Sequence, residues 1–155
     1  YLLLALSNNE LANYDEGLKY SLLMVDQLQS SSNQKDSLKL LLENSYWVQH
    51  RPHFLNPSKA QTLSAILPGL GQCYSGYYAE GISNFVLHAI IVSFTGYAIY
   101  KTYYLTSYFG GISLLMKFYT GGTRRSEFLA NKRNYERKHN FSLKIKKILM
   151  QNCCK

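Results

Sequence analysis

The side chains able to do chemistry are few and scattered. Cys73, Cys153 and Cys154 match no metal-ligand spacing, and vicinal cysteines bridge each other only with strain. His50 and His53 flank Pro52, two imidazoles where a zinc site takes three or four ligands. His88 lies in the middle of an apolar run, where an ionisable group is a functional candidate by default. Residues 81–126 contain no Asp or Glu to exchange a proton with it, so a neutral histidine bonded to a neighbouring helix is expected. The sequence holds no Ser/His/Asp or Cys/His arrangement on an ordered scaffold and no phosphate-binding glycine loop before a basic residue. The expectation is a protein that is not an enzyme and carries no cofactor or metal; catalysis by Cys73 or His88 is the competing reading.

The composition points to surroundings rather than to a reaction. The 155 residues include 14 Tyr and 7 Phe and carry a formal charge of +8. Residues 1–57 hold four basic side chains against six acidic ones, whereas residues 58–155 hold thirteen against three. Such asymmetry marks two regions facing different environments, and a basic segment seeks phosphate of lipid headgroups or nucleic acid. The chain begins at Tyr1 without an initiator Met and reads as the middle of a longer polypeptide, so any export signal lies outside it.

Residues 1–28 predict two helices broken at Asn13, with Leu3, Leu4, Leu6 and Leu11 on the first. Leu18, Leu22, Met24 and Val25 recur at helical spacing on the second, and Asp15 and Glu16 favour its positive end. Leu4, Ala5, Ala12, Tyr14, Gly17 and Met24 resemble the pattern of a tetratricopeptide repeat, in which small residues let antiparallel helices pack closely. The likeness covers less than one repeat, and it departs at Asn8, where an aromatic is usual, and at Gly17, where alanine is. It implies partner binding through Leu4, Leu11, Tyr14, Leu18 and Tyr20. One repeat cannot bury its own faces, so neighbours upstream or in a partner are implied. Ser30–Gln34 reads as a polar loop and Lys35–Val48 as a helix with Leu38, Leu41, Leu42 and Tyr46 on one side. Pro52 and Pro57 then end helical structure and set a boundary at residue 57.

Next comes a short helix from a Ser58 cap to Leu67, broken by Pro68, Gly69 and Gly71. Ten residues are too few to cross a hydrocarbon core, so a re-entrant or interfacial hairpin is expected. Leu67-Pro68-Gly69-Leu70-Gly71-Gln72-Cys73-Tyr74 resembles the Pro-Gly-x-Gly-Gln-x-Tyr hairpin of poorly characterised bacterial membrane proteins, many from the Bacteroidota, where it precedes transmembrane helices. The likeness covers about residues 57–140 and implies an envelope membrane protein with no established chemistry, in which the segment before the hairpin is often exported. Pro68, Gly69, Gly71, Gln72 and Tyr74 carry it. They form either a structural corner, with Gln72 bridging exposed backbone, or a polar notch for a lipid or partner helix.

Gly81–Tyr100 fits one membrane crossing, and Leu105–Tyr119 predicts a second, closed by Gly121-Gly122. Tyr97, Tyr100, Tyr103, Tyr104 and Tyr108 suit an interfacial belt, although the mean hydropathy of −0.20 is modest. Residues 123–155 form a basic amphipathic helix whose Arg124, Arg125, Lys132, Arg133, Arg137 and Lys138 would contact anionic headgroups. No nucleic-acid reading motif accompanies the charge. The fold expected is all-α: tetratricopeptide-like helices at 1–57, a hairpin and about two transmembrane helices at 58–122, and the basic helix at 123–155. The positive-inside tendency makes the basic segment cytoplasmic, in a bacterial inner membrane. The function expected is a scaffold or accessory subunit of a hetero-oligomeric envelope complex for secretion or membrane-protein assembly, binding other membrane proteins. The alternative is a lipid-handling or small-solute transport component.

Overall fold

The structure, a computed structural model, describes residues 1–28, 32–47 and 52–153; the expectations that fall on Ser30, Ser31, Val48, His50, Arg51 and Cys154 lie outside them. Among the described residues every regular element is helical. The chain divides into two compact units, Tyr1–Phe54 with Asn134–Lys155, and Leu55–Arg133.

The first unit opens with α1 (Leu2–Glu10) and α2 (Tyr14–Asp26). The turn between them carries Ala12 at φ 65°, and Asp15 and Glu16 occupy the first turn of α2. Gly17 has a packing reason: a Cβ there would overlap Asn9 Oδ1, so the glycine lets α1 close onto α2. α3 (Ser32–Trp47) starts earlier than the polar composition of Ser30–Gln34 predicts, taking Asn33 and Gln34 into its first turns. Leu38, Leu42 and Tyr46 repeat every four residues and pack against Tyr14, Leu18 and Val25 of α2. Leu41 falls off this stripe and is exposed.

The remaining cover comes from the chain's own C-terminal residues Phe141, Ile145 and Leu149. The Phe141 ring meets Tyr14 and Tyr46 edge-on, at centroid distances of 5.2 and 5.3 Å. Two expectations change here. The C-terminal part of the basic helix's apolar stripe packs on this core, while Phe128 and Tyr135 stay exposed, and the Tyr14–Leu18 face of the α1–α2 hairpin is covered within the chain. Each fully buried Leu or Ile contributes about 1.5–3 kcal/mol, so these residues anchor the C-terminal helix firmly.

The second unit begins with α4 (Pro57–Ile66), capped by Asn56, whose side chain accepts from the Lys59 amide at 3.2 Å, with Pro57 inside the first turn. The cap is thus Asn56 and not Ser58, because Pro57 lacks an N–H and favours the first helical position. After the Pro68 break come α5 (Leu70–Tyr74) and α6 (Tyr78–Tyr100). A turn through Thr102 at φ 63° leads to α7 (Tyr104–Thr106), a π-helical stretch (Ser107–Ile112) and the 41-residue α8 (Ser113–Cys153).

α6 is the one described helix long and apolar enough to cross a membrane. Gly121-Gly122 does not close a second span; both lie inside α8. Glycine in a helix costs about 1 kcal/mol relative to alanine, and at Gly122 packing explains it, since a Cβ would sit 2.7 Å from Asn84 Nδ2. The second unit has an inverted distribution of polarity. Gln72, Ser64, Ser75, His88, Ser107 and Ser126 are buried, while Ile82, Phe85, Val86, Ile90, Val92, Phe94, Leu105 and Phe109 are exposed.

Candidate functional site

The Pro-Gly-Leu-Gly-Gln segment is the node of the second unit. Leu67 is extended, with φ −137° and ψ 115°, the region favoured before a proline. Gly69 follows at φ 102°, a conformation that L-residues rarely adopt, and its Cα lies against the Gly81 carbonyl at the start of α6. A Cβ on Gly71 would overlap the Ala60 carbonyl oxygen and stand 2.8 Å from Ser126 Cβ. α4, α5 and α8 therefore meet there nearly backbone to backbone.

Polar bonds fasten the same node. The Gly71 amide donates to Ser64 Oγ at 3.0 Å, and Ser64 Oγ donates to Gln72 Oε1 at 3.3 Å. Gln72 Nε2 donates to the Gly122 carbonyl at 3.4 Å, and Ser126 Oγ to the Ala60 carbonyl at 3.2 Å. Tyr119 donates to the Ala65 carbonyl at 2.7 Å. Tyr74 accepts from the Asn56 amide at 3.4 Å and stacks beneath the Lys59 ammonium, 6.0 Å from its ring centre. The bridging expected of Gln72 thus joins α5 to α4 and α8.

His88 is buried, with Nδ1 2.8 Å from the Asn84 carbonyl one turn back on its own helix. The expected bond to a neighbouring helix is absent because the i−4 carbonyl is nearer. A carbonyl can only accept, so Nδ1 carries the proton; Nε2 is buried without a protein partner. On this side of α6, His88, Phe85, Val92, Met116 and Tyr119 line an apolar groove of 490 Å³ beside Pro68.

The other side of the α6–α8 seam holds a cleft of 470 Å³ lined by Glu80, Ser83, Asn84, Lys117, Phe118 and Arg125, among others. Arg125 grips Glu80 through two hydrogen bonds of 3.0 Å each, the fork-to-carboxylate geometry that gives strong pairs. Both groups are half exposed, which screens the pair. Asn84 Nδ2 is buried on the Gly122 side and finds no acceptor in the chain.

The basic residues expected to meet headgroups fall on both units. In the second, Arg133 and Lys132 lie over the Tyr77 ring, each 5.6 Å from its centre; Arg124 is exposed beside Arg125 on α8. In the first, Arg137 donates to the His53 carbonyl and Lys138 lies over Tyr135 at 5.8 Å.

Of the residues expected to bind partners, Tyr14 and Leu18 belong to the chain's own core, because Phe141 covers that face of α2. Leu4 and Leu11 are exposed, and Tyr20 stacks on Tyr1 at 6.4 Å. Asn9 donates to the Tyr46 hydroxyl at 2.7 Å, and Ser21 lies 3.2 Å from it. Burial pushes the Tyr46 hydroxyl above the ordinary phenol range, and these two bonds partly offset the shift. A hydrogen bond to Asp26 raises Lys39 above its usual value.

Sequence reasoning missed Glu80, Ser83, Asn84 and Lys117 as one cluster. A signal existed for Glu80, the sole carboxylate between Glu43 and Glu127; the pairing across α6 and α8 had none. Among the described residues no three of His, Cys, Asp and Glu gather as metal ligands. No known family, curated protein or solved structure matches the chain.

Proposed function

We propose that the chain is a non-catalytic, membrane-anchored scaffold or accessory subunit of a bacterial envelope complex. Leu55–Arg133 would be the bilayer-embedded part, and the helical hairpins of the other unit would hold protein partners. The observation that carries this reading is the opposite polarity of the two units. One gathers Leu, Val, Phe, Ile and Tyr into a core cluster, with only Asn9 and a few serines buried beside it. The other buries Gln, Ser, Thr and His, with Ile91 and Leu129 as its only large apolar side chains among the buried residues described, and turns many Ile, Phe, Val and Leu outward. Exposing such a surface to water is unfavourable at about 25 cal/mol per Å², whereas a bilayer solvates it.

α6, with 23 residues, is about 35 Å long at 1.5 Å per residue, against a hydrocarbon core of about 30 Å. Only 22% of its most apolar window is buried, whereas the core helix of a water-soluble protein would be mostly covered. The return crossing would use α7, the π-helical stretch and the first turns of α8. The backbone around Gly69 and Gly71 is occupied by Gly81 and Ala60, which supports a structural corner over an open notch. The chain enters this unit beside Tyr74 and leaves it beside Tyr77. Both connections then emerge at the basic end, the cytoplasmic one by the positive-inside tendency. Leu3, Leu4 and Leu11, exposed on and just after α1, are the surface offered to a partner.

The test is expression of the chain in bacteria, followed by alkaline carbonate washing and affinity purification in mild detergent. The expected result is retention in the washed membrane and stable co-purification of other membrane proteins, reduced by Leu3→Glu with Leu11→Glu. Release by carbonate would refute the membrane part, and isolation as a lone monomer would refute the scaffold part.

A further inference from the structure

The second unit has seven basic side chains and two carboxylates, Glu80 and Glu127. Five of those cations, Lys117, Arg124, Arg125, Lys132 and Arg133, lie on α8. Four are placed near the basic end, but Lys117 is not. The facing pairs Thr95 with Gly111, Asn84 with Gly122 and Glu80 with Arg125 run antiparallel, so Lys117 is level with Ala89, the midpoint of α6. A lysine at that depth in an apolar unit is costly, and such groups face a cavity and find a counter-charge. Lys117 does face a cavity, the 470 Å³ cleft toward Glu80 and Arg125. The carboxylate in that cleft is already held in both oxygens by Arg125. The lysine's counter-charge is therefore not supplied there by the chain.

We propose that the cleft binds the phosphate of an anionic phospholipid. Lys117 is its principal cation, with Ser83 as a neutral donor, and the acyl chains run along the exposed apolar surface of α6. Arg125, neutralised by Glu80, fixes the rim and does not carry the headgroup charge. The donor set fits the ligand class: an ammonium and a hydroxyl at a cavity with an apolar wall at Phe118. The assignment rests on the membrane reading above.

The experiment uses the full chain in detergent and measures binding of dioleoylphosphatidylglycerol, dioleoylphosphatidylcholine and inorganic phosphate by native mass spectrometry. Carbonate retention of each variant is scored in parallel. The chain should prefer the anionic lipid by about tenfold, since a hydrogen bond to a charged group is worth about 1.5–3 kcal/mol and 1.4 kcal/mol is tenfold. Lys117→Gln and Lys117→Met should each lose that preference while remaining carbonate-resistant, Lys117→Arg should restore it, and Lys144→Gln should leave it unchanged. Retention of the preference by both neutral variants would overturn the site and leave the membrane reading standing. Loss of carbonate resistance by the unaltered chain would instead sink the membrane reading. Displacement of the lipid by equimolar inorganic phosphate would show a soluble-anion site and overturn the lipid assignment. So would photo-crosslinking of position 117 to a co-purified protein with no effect of added lipid.

Discussion

Gly71→Ala isolates the corner on which the second unit is built. The glycine has ordinary helical φ, so the substitution adds one methyl without backbone strain. That methyl would overlap the Ala60 carbonyl oxygen and stand 2.5 Å from Ser64 Oγ and 2.8 Å from Ser126 Cβ. The first obstacle is backbone of α4 and cannot swing aside, so α4 and α5 must separate. Overpacking of this kind costs about 1–3 kcal/mol. Separation also stretches the Gly71 amide to Ser64 bond and the Ser126 to Ala60 bond, now 3.0 and 3.2 Å, each worth about 1 kcal/mol. The sum is a loss of about 3–5 kcal/mol when both bonds break. Gly96→Ala and Gly121→Ala supply the control, because nothing lies within 4 Å of a Cβ at either position. Both are helical and should be neutral or stabilised by up to about 1 kcal/mol. Denaturant unfolding of the full chain in detergent reads all three. A Gly71→Ala variant within about 0.5 kcal/mol of Gly96→Ala, the range of ordinary surface substitutions, would refute the close packing of α4, α5 and α8.

Two further outcomes concern the first unit. Phe141→Ala should cost about 3–5 kcal/mol, because its ring is 5% exposed and touches both Tyr14 and Tyr46. Hydrogen exchange should quicken in α1–α3, and unchanged protection there would show that the C-terminal residues do not cover the hairpin. Tyr46 gives a pH dependence. Its folded pKa is raised by burial, so the neutral hydroxyl's contribution is complete below about pH 10, the unfolded value, and is lost as pH rises through the folded value. Tyr46→Phe should flatten that alkaline loss while costing about 1–3 kcal/mol at neutral pH, since Asn9 Nδ2 and Ser21 lose their partner. An alkaline profile identical to that of the unaltered chain would exclude Tyr46 as its source.

Local signals in this sequence were readable where local physics decides. The α1–α2 break, the Pro68 break, the length of α6 and the Leu38–Leu42–Tyr46 stripe each follow from spacing or from a residue that cannot continue a helix. The cap of α4 was misplaced by two residues because Ser58 competes with Asn56 on side-chain chemistry, and the fixed φ of Pro57 settles the choice. Gly121-Gly122 misled for a related reason: propensity argues for a break at about 1 kcal/mol per glycine, but both sit inside α8, where Gly122 packs closely on Asn84 and Gly121 meets nothing. The chemistry of the cleft was not legible, since Glu80 and Arg125 are 45 positions apart and meet only when α6 and α8 pair. The destination of the Phe141–Ile145–Leu149 stripe was equally hidden. An amphipathic pattern states that a face must be covered, and leaves open whether lipid or protein covers it.

Along α8 the kind of residue that is buried differs between the part in the second unit and the part in the first. Up to Arg133 its inward side carries mostly small or polar residues, Gly111 just before its start and then Gly122, Ser126 and Ala130, with Leu129 the one large apolar side chain fully buried, while Leu114, Met116 and Phe118 point outward. From Asn134 the pattern reverses, and Phe141, Ile145 and Leu149 are buried while Lys144, Lys146 and Lys147 are exposed. A helix at a lipid boundary gains nothing by burying leucine, since lipid tails are as apolar as Leu, so close approach through small residues drives packing there. A helix in water gains about 1.5–3 kcal/mol from each buried large side chain. The switch between these rules occurs next to Lys132 and Arg133 over Tyr77, aromatic and basic residues of the kind that settle at a headgroup layer. On the membrane reading proposed above, this change of buried residue type and the basic–aromatic girdle would both mark the headgroup layer, because they fall at the same place on the helix.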